Sequence, residues 1–203
     1  MNKDEVYVTT HSGRKLYLLD LDPEEIVIAD IAHHLALVNR FGGATPIPIS
    51  VAQHSVFVSR LCDNTKDDLQ ALLHDASEAY LGDVPKWLKE STPFDAYREL
   101  EKQIQRMIFI TFGCDPEVAD RVVDADRLMV RYEAWRMLPS VLRHMHPSKQ
   151  HAYSRPNEDE IKQVGYWYPW DWQTAKNAFI SRFAALTEPG WIGPLTKQME
   201  RWG

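Results

Sequence analysis

From Asp22 onward the apolar residues of this chain recur at helical spacing, and in three of those stretches an ionisable side chain stands beside or within the apolar stripe. In the first, Val51, His54, Val58 and Leu61 fall at i, i+3, i+7 and i+10, which turns an imidazole toward the interior. The second reads ALLHDASEAYLGDVP over residues 71–85. On a helix His74 and Glu78 lie about 40° apart around the axis and Asp75 about 100° from His74, so the three share a sector beside Leu69, Leu72, Leu73 and Ala76. In the third, Val118, Val122, Asp126 and Met129 follow i, i+4, i+8 and i+11, which leaves Asp126 on the apolar side and Asp124 facing away. A neutral polar group buried without a partner costs on the order of 2–7 kcal/mol, and a charge costs more.

Each stretch alone has a plain explanation: a hydrogen-bonded core histidine, a solvated polar edge, a carboxylate met by several donors. A single cation shared by all three would resolve the three costs together. Two histidines and two aspartates form a mixed nitrogen and oxygen donor set without thiolates. Such a set suits Mn, Co, Fe, Ni or Zn, and four ligands leave room for water or substrate on a six-coordinate ion.

The remaining pattern describes an all-α protein with a short β element at its start. Residues 5–20, which include VYVTTHSGRKLYLLD, read as two short strands around a turn at His11-Ser12-Gly13. Asp30 is placed to cap a helix running to about Asn39, and Gly42, Gly43, Pro46 and Pro48 then force a loop. Ser50 and Gln53 form the S-x-x-Q capping pattern of a helix that reaches about Cys62. Further helices are expected over about Asp67–Tyr80, over Phe94–Phe112 with Tyr97, Leu100, Ile104 and Met107 on one stripe, and over Glu117–Met137. Residues 147–165 read as a long polar loop. A last helix begins near Asp171 and carries Trp172, Ala175, Phe179, Phe183 and Leu186.

With 203 residues, 44% of them hydrophobic, the chain can bury one sizeable core, so a single domain over 1–203 is expected, its core at about 25–138 and a helical extension at about 165–190. A net charge of −6 argues against nucleic acid as a partner, because no basic surface is available to release counterions. A small anionic substrate needs only two or three local cations. Cys62 and Cys114 make no metal-binding spacing and no disulfide framework, the start MNKDEVYVTT has no apolar signal region, and no stretch is long and apolar enough to span a membrane. The expected location is the cytoplasm.

The motifs SVAQHS (50–55) and LLHDASEAYLGDVP (72–85), with RFGG (40–43) upstream, resemble the HD-domain metal-dependent phosphohydrolases, most closely bacterial 5′-deoxynucleotidases and phage dATP triphosphohydrolases. The similarity covers about residues 25–135. It implies an HD-domain helical bundle with His54, His74, Asp75 and Asp126 as ligands of one divalent metal. Glu78 matches the catalytic acidic residue, and Asp83 a residue near the reacting water and the sugar. Arg40 and Lys89 match groups that reach the substrate phosphate, although Lys86 lies close to Lys89. Some relatives carry tryptophan after the arginine to pack the base; here the residue is Phe41. Two-metal members of the superfamily draw extra histidines from the interval between Asp75 and Asp126. This chain has none there, so the resemblance implies a single ion.

The resulting expectation is hydrolysis of a nucleotide, with release of phosphate from a (deoxy)nucleoside 5′-monophosphate placed first because only two candidate phosphate-binding cations are visible. Release of triphosphate from a dNTP and a catalytically silent nucleotide-binding module are the alternatives. A homo-oligomer is expected from relatives. His33 and His34 read as packed or capping residues, the His144/His146 pair as surface loop, and the tryptophan-rich run at 167–172 as a packing anchor.

Overall fold

The computed structural model describes residues 6–62, 66–138 and 154–187. The chain opens with an antiparallel hairpin, β1 (Tyr7–Thr9) and β2 (Lys15–Tyr17), in which Val8 faces Leu16. Its turn uses Gly13 at φ 82, and the tip docks on the first helix, α1 (Ile28–Leu37), where Ser12 donates from N and Oγ to the two Asp30 oxygens at 2.8 and 2.7 Å. Asp30 is therefore not a helix cap: α1 begins before it, and the buried carboxylate is used to hold the hairpin.

After α1 the chain runs extended, and the loop from Asn39 to Ser50 is pinned at its base by Arg40 N–H donating to Ile49 O and Val51 N–H donating to Val38 O. Within it the 3₁₀ turn Arg40–Gly43 holds Phe41 at φ 56, a left-handed conformation uncommon for a side-chain-bearing residue. The pinned base brings Arg40 to the start of α2 (Val51–Leu61). Ser50 caps α2 through Gln53 N–H, but the Gln53 side chain does not complete a capping box. It donates instead to Tyr168 O and accepts from Trp170 N–H, tying residues 168–170 to the helix.

A helix buries one stripe when it lies at a surface. In α2 every residue from Val51 to Ser59 is buried. Two apolar clusters enclose it. One joins the hairpin, α1, the helix α3 (Asp68–Leu73), α6 (Asp95–Thr111) and α9 (Trp172–Leu186); the other joins α2 and α3 to α7 (Asp120–Met137) and to Val164 and Trp167. Phe109, Phe179 and Phe183 are fully buried in the first cluster, and burial of such a side chain contributes about 1.5–3 kcal/mol.

The helix expected over Asp67–Tyr80 is not continuous. After α3 the backbone tightens through residues 74–77 and resumes as α4 (Glu78–Leu81). A short helix, α5 (Lys86–Lys89), follows the Gly82–Pro85 corner. α7 starts at Asp120 rather than Glu117, because Gln70 holds the preceding backbone: its amide donates to Asp115 O and Glu117 O and accepts from Ala119 N–H. Val118 consequently precedes the helix and is exposed. The expected loop at 147–165 contains α8 (Glu158–Val164), opened by an Asn157/Glu160 capping box and bound to α7 by a two-pronged Arg131–Glu160 pair at 2.9 and 2.7 Å. Residues 147–153, with His144 and His146, lie outside the described residues. Among the described residues no helix is long and apolar enough to cross a membrane.

Candidate metal centre

His54, fully buried on α2, points Nε2 at Asp126 Oδ1 (3.1 Å) and lies 3.8 Å from Asp75 Oδ2. His74, directly after α3, places Nε2 3.2 Å from Asp75 Oδ2 and 3.7 Å from Asp126 Oδ1. The ligating atoms of His54, His74 and Asp75 all lie within 4.8 Å of one another. The structure thus brings together the four residues singled out as ligands.

The far ring nitrogens decide what these imidazoles present to one another. His74 Nδ1 is 2.8 Å from Ala71 O, an acceptor, so Nδ1 carries the proton and the neutral ring offers its Nε2 lone pair inward. That Nε2 is buried and makes no hydrogen bond. His54 Nδ1 faces the buried Glu133 carboxylate at 3.2 Å, which fixes the same tautomer. Two lone pairs and two carboxylates facing one point repel unless positive charge, from protons on the rings or from a cation, lies among them. Donors sharing an ion at about 2.1 Å stand about 3.0–3.4 Å apart, close to the spacings here. The donor set fits a divalent cation.

Protonation behaviour reflects the same geometry. Burial and the Arg40 guanidinium oppose protonation of His54, but Glu133 and Asp126 outweigh them and raise its pKa. Burial likewise opposes protonation of His74, and Asp75 and Asp126 lift it well above the ordinary value. The two aspartates, despite burial, are held below the usual carboxylate range by the imidazoles.

Glu133 was not singled out in the sequence. It is fully buried, and besides His54 it accepts from Arg40 Nε at 2.9 Å. Arg40 Nη1 reaches Asp75 Oδ2 at 3.4 Å, so the arginine spans Asp75 and the residue that orients His54. Arg40 is thus turned into the site, away from the helix end it follows. The signal was present: Val122, Asp126, Met129 and Glu133 continue one apolar stripe.

Glu78 is 5% exposed. One oxygen is 3.3 Å from Lys89 Nζ, and the other is buried without a hydrogen-bond partner. Burial, reinforced by Asp75 and Asp83, pushes its pKa well above the ordinary value, against the pull of Lys89. Lys89 also contacts Glu101 at 2.5 Å, so in this state it serves as counter-ion to two carboxylates. Asp83 is half-buried and its pKa is raised by burial, with Arg40 and Lys89 opposing and Asp75 reinforcing. The Phe41 ring packs against the second apolar cluster, its centroid 5.6 Å from the Arg40 guanidinium. A cavity of about 330 Å³ opens on His74, Asp75, Glu78 and Lys89 and is walled on its α6 side by Lys102, Gln105 and Arg106.

Among the described residues the other histidines serve packing. His34 Nδ1 lies 2.7 Å from Ala79 O while Nε2 accepts from His11 N–H, and His33 stacks on His11 at 3.6 Å. Trp167 is buried as an anchor should be, whereas Tyr166 and Tyr168 are exposed.

No family model matches the chain. It is 36% identical over 127 residues to the uncharacterized protein YfdR of Escherichia coli K12, an alignment spanning 63% of this chain and 70% of that protein. It is 38% identical over 135 residues to the uncharacterized protein RCAP_rcc00048 of Rhodobacter capsulatus, across 61% of this chain and 68% of the other.

Proposed function

The chain belongs to the family represented by YfdR and RCAP_rcc00048, and from the site it carries we propose that it is a metal-dependent nucleotide phosphohydrolase, releasing phosphate from (deoxy)nucleoside 5′-monophosphates. The observation that supports this reading is the convergence of two inward-facing imidazole nitrogens and two carboxylates beside a buried, poorly partnered glutamate and a guanidinium. The HD-type motifs of the sequence point the same way.

His54, His74, Asp75 and Asp126 would hold the ion, one of Mn, Co, Fe, Ni or Zn. Two neutral imidazoles and two carboxylates balance a divalent charge. When bound, such an ion acidifies water and polarises a phosphoryl oxygen. The chain supplies the rest. Glu78, buried with one carboxylate oxygen left unpartnered and its pKa raised by burial, moves the proton between water and leaving group, a role that typically contributes about 10²–10⁴-fold. Arg40, braced by Glu133, stabilises charge on non-bridging oxygens. Lys89 can add to this by exchanging a carboxylate for a phosphate oxygen, Asp83 orients the sugar side, and Phe41 offers a face to the base.

A second reading rests on the cavity. Lys102 and Arg106 join Lys89 in its lining, each paired with a carboxylate in this state; release of triphosphate from a dNTP would use these cations if the phosphate tail displaced Glu99, Glu117, Glu78 and Glu101 from them. A third keeps the fold as a silent nucleotide-binding module. The proposed location is the cytoplasm, and the proposed assembly a homo-oligomer acting on small nucleotides rather than nucleic acid.

Phosphate release from dNMPs, measured colorimetrically with and without Mn²⁺ or Co²⁺, tests the leading reading. Metal-dependent phosphate release is expected. Nucleoside plus triphosphate from dNTPs would select the second reading, and nucleotide binding without turnover the third. Glu78→Ala is expected to abolish turnover while metal stays bound; retained activity would remove Glu78 from the mechanism.

A further inference from the structure

The tightened turn between α3 and α4 has a specific cause. In an uninterrupted α-helix Ser77 N–H would donate to Leu73 O, four residues back. Here that rung is open, and the Gln105 carboxamide of α6 sits inside it. Its Nε2 donates to Leu73 O at 2.7 Å, and its Oε1 accepts from Ser77 N–H at 3.0 Å. Deprived of that rung, the backbone around it turns to three-residue spacing: Ala76 N–H donates to Leu73 O and Glu78 N–H to Asp75 O, at 3.0 Å each. A group inserted into the i→i−4 ladder is an established cause of helix bending. The bend falls between the His74–Asp75 pair and Glu78.

We propose that Gln105 is a positioning residue of the metal centre: by occupying the Leu73–Ser77 rung it sets the bearing of His74 and Asp75 relative to Glu78. The proposal rests on the metal-centre reading above. Without the wedge, the helix can close its own rung and continue straight, which rotates Asp75 and Glu78 away from their present relation. The side-chain amide suits this task because it satisfies a carbonyl and an N–H at once; no carboxylate or aliphatic chain of similar length does both. The same helix reaches the site a second time, one turn earlier, where Glu101 holds Lys89. α6 therefore carries two contacts to the site, one through backbone and one through charge.

The test loads the full chain with Co²⁺ and compares wild type with Gln105→Met, which keeps length and loses both hydrogen bonds. Gln70→Met is the control. It removes an equivalent set of side-chain-to-backbone bonds, to Asp115, Glu117 and Ala119, a segment that carries none of the four candidate ligands and not Glu78. For Gln105→Met the expected result is an altered Co²⁺ visible spectrum and about 10–100-fold weaker Co²⁺ binding, the range for disturbing groups that support metal ligands. For Gln70→Met a lowered melting temperature with an unchanged spectrum and affinity is expected. Should Gln105→Met not fold, Gln105→Glu, which keeps only the acceptor for Ser77 N–H, is read in the same way. A wild-type spectrum and affinity in the Gln105 variant, or an equal disturbance in the Gln70 variant, would overturn the proposal while the metal centre stands. Failure of the wild-type chain to retain Co²⁺ after dialysis would overturn the metal centre itself.

Discussion

Glu133 shows how much of the candidate site depends on one residue that is not among the four converging groups. Its carboxylate fixes the His54 tautomer and holds the Arg40 guanidinium, and all three groups are buried. Removing one partner of a buried pair leaves the other uncompensated, at about 3–5 kcal/mol. Glu133→Ala is therefore expected to lower unfolding stability in urea by about that amount and to weaken metal binding roughly 10-fold or more, because His54 loses its orientation. Asp126 and Asp124 form a sharper contrast. Asp124 is exposed and pairs with Arg127 at 3.5 Å, whereas Asp126 joins both imidazoles. Elemental analysis is expected to find metal lost from Asp126→Asn and retained by Asp124→Asn. The four converging residues were legible in sequence because each stands on or beside an apolar stripe where a charge is costly. Glu133 continues the Asp126 stripe by the same rule, so the information was there. The pairing of Lys89 with Glu101 was not, because two surface-patterned residues twelve apart carry no periodic signal.

At the scale of elements, the existence of helices was easier to read than their interruptions. Periodicity located α2, α6, α7 and α9 because each has a sustained apolar side. It ran α3 and α4 together, since the break is imposed by Gln105 from another helix and every residue at 74–77 is tolerable in a helix. It missed α8, which buries little besides Val164 and is held by its capping box and by Arg131. Glutamines 53, 70 and 105 share a pattern that sequence does not reveal: each uses both ends of its amide to fasten backbone elsewhere. A comparable fastener joins α9 to α2 and α3. Arg182 donates to Ser59 Oγ at 2.9 Å and to Asp68 Oδ2 at 2.6 Å, and Asp68 is 1% exposed. Arg182→Ala is expected to cost about 3 kcal/mol, the lower end for breaking a buried pair, since the guanidinium is partly solvated. For a domain of this size that lowers the melting temperature by roughly 6–12 °C. An unchanged melting temperature would show that α9 is held by its apolar face alone.

On the scale of the whole molecule, the centre joins parts of the chain that are far apart in sequence: α2 carries His54, the end of α3 carries His74 and Asp75, and α7 carries Asp126. Unfolding separates these elements and dismantles the donor set, so an ion bound there favours the folded state by mass action. At a free concentration 100 times the dissociation constant the gain is about 2.7 kcal/mol. A chain of this length converts that into a rise of roughly 5–11 °C in melting temperature. The rise should appear with Mn²⁺ or Co²⁺, reverse with a chelator, and vanish in Asp126→Asn. It should survive in Glu78→Ala, because Glu78 stands outside the donor set. A surface acidic cluster would behave differently: its small stabilisation would be shared by Ca²⁺ and Mg²⁺ and screened by salt. Imidazole ligands disfavour those hard cations, so calcium should give little shift. A calcium-induced rise equal to that with cobalt would mean that carboxylates alone bind the ion and that the two inward-facing imidazoles have another purpose.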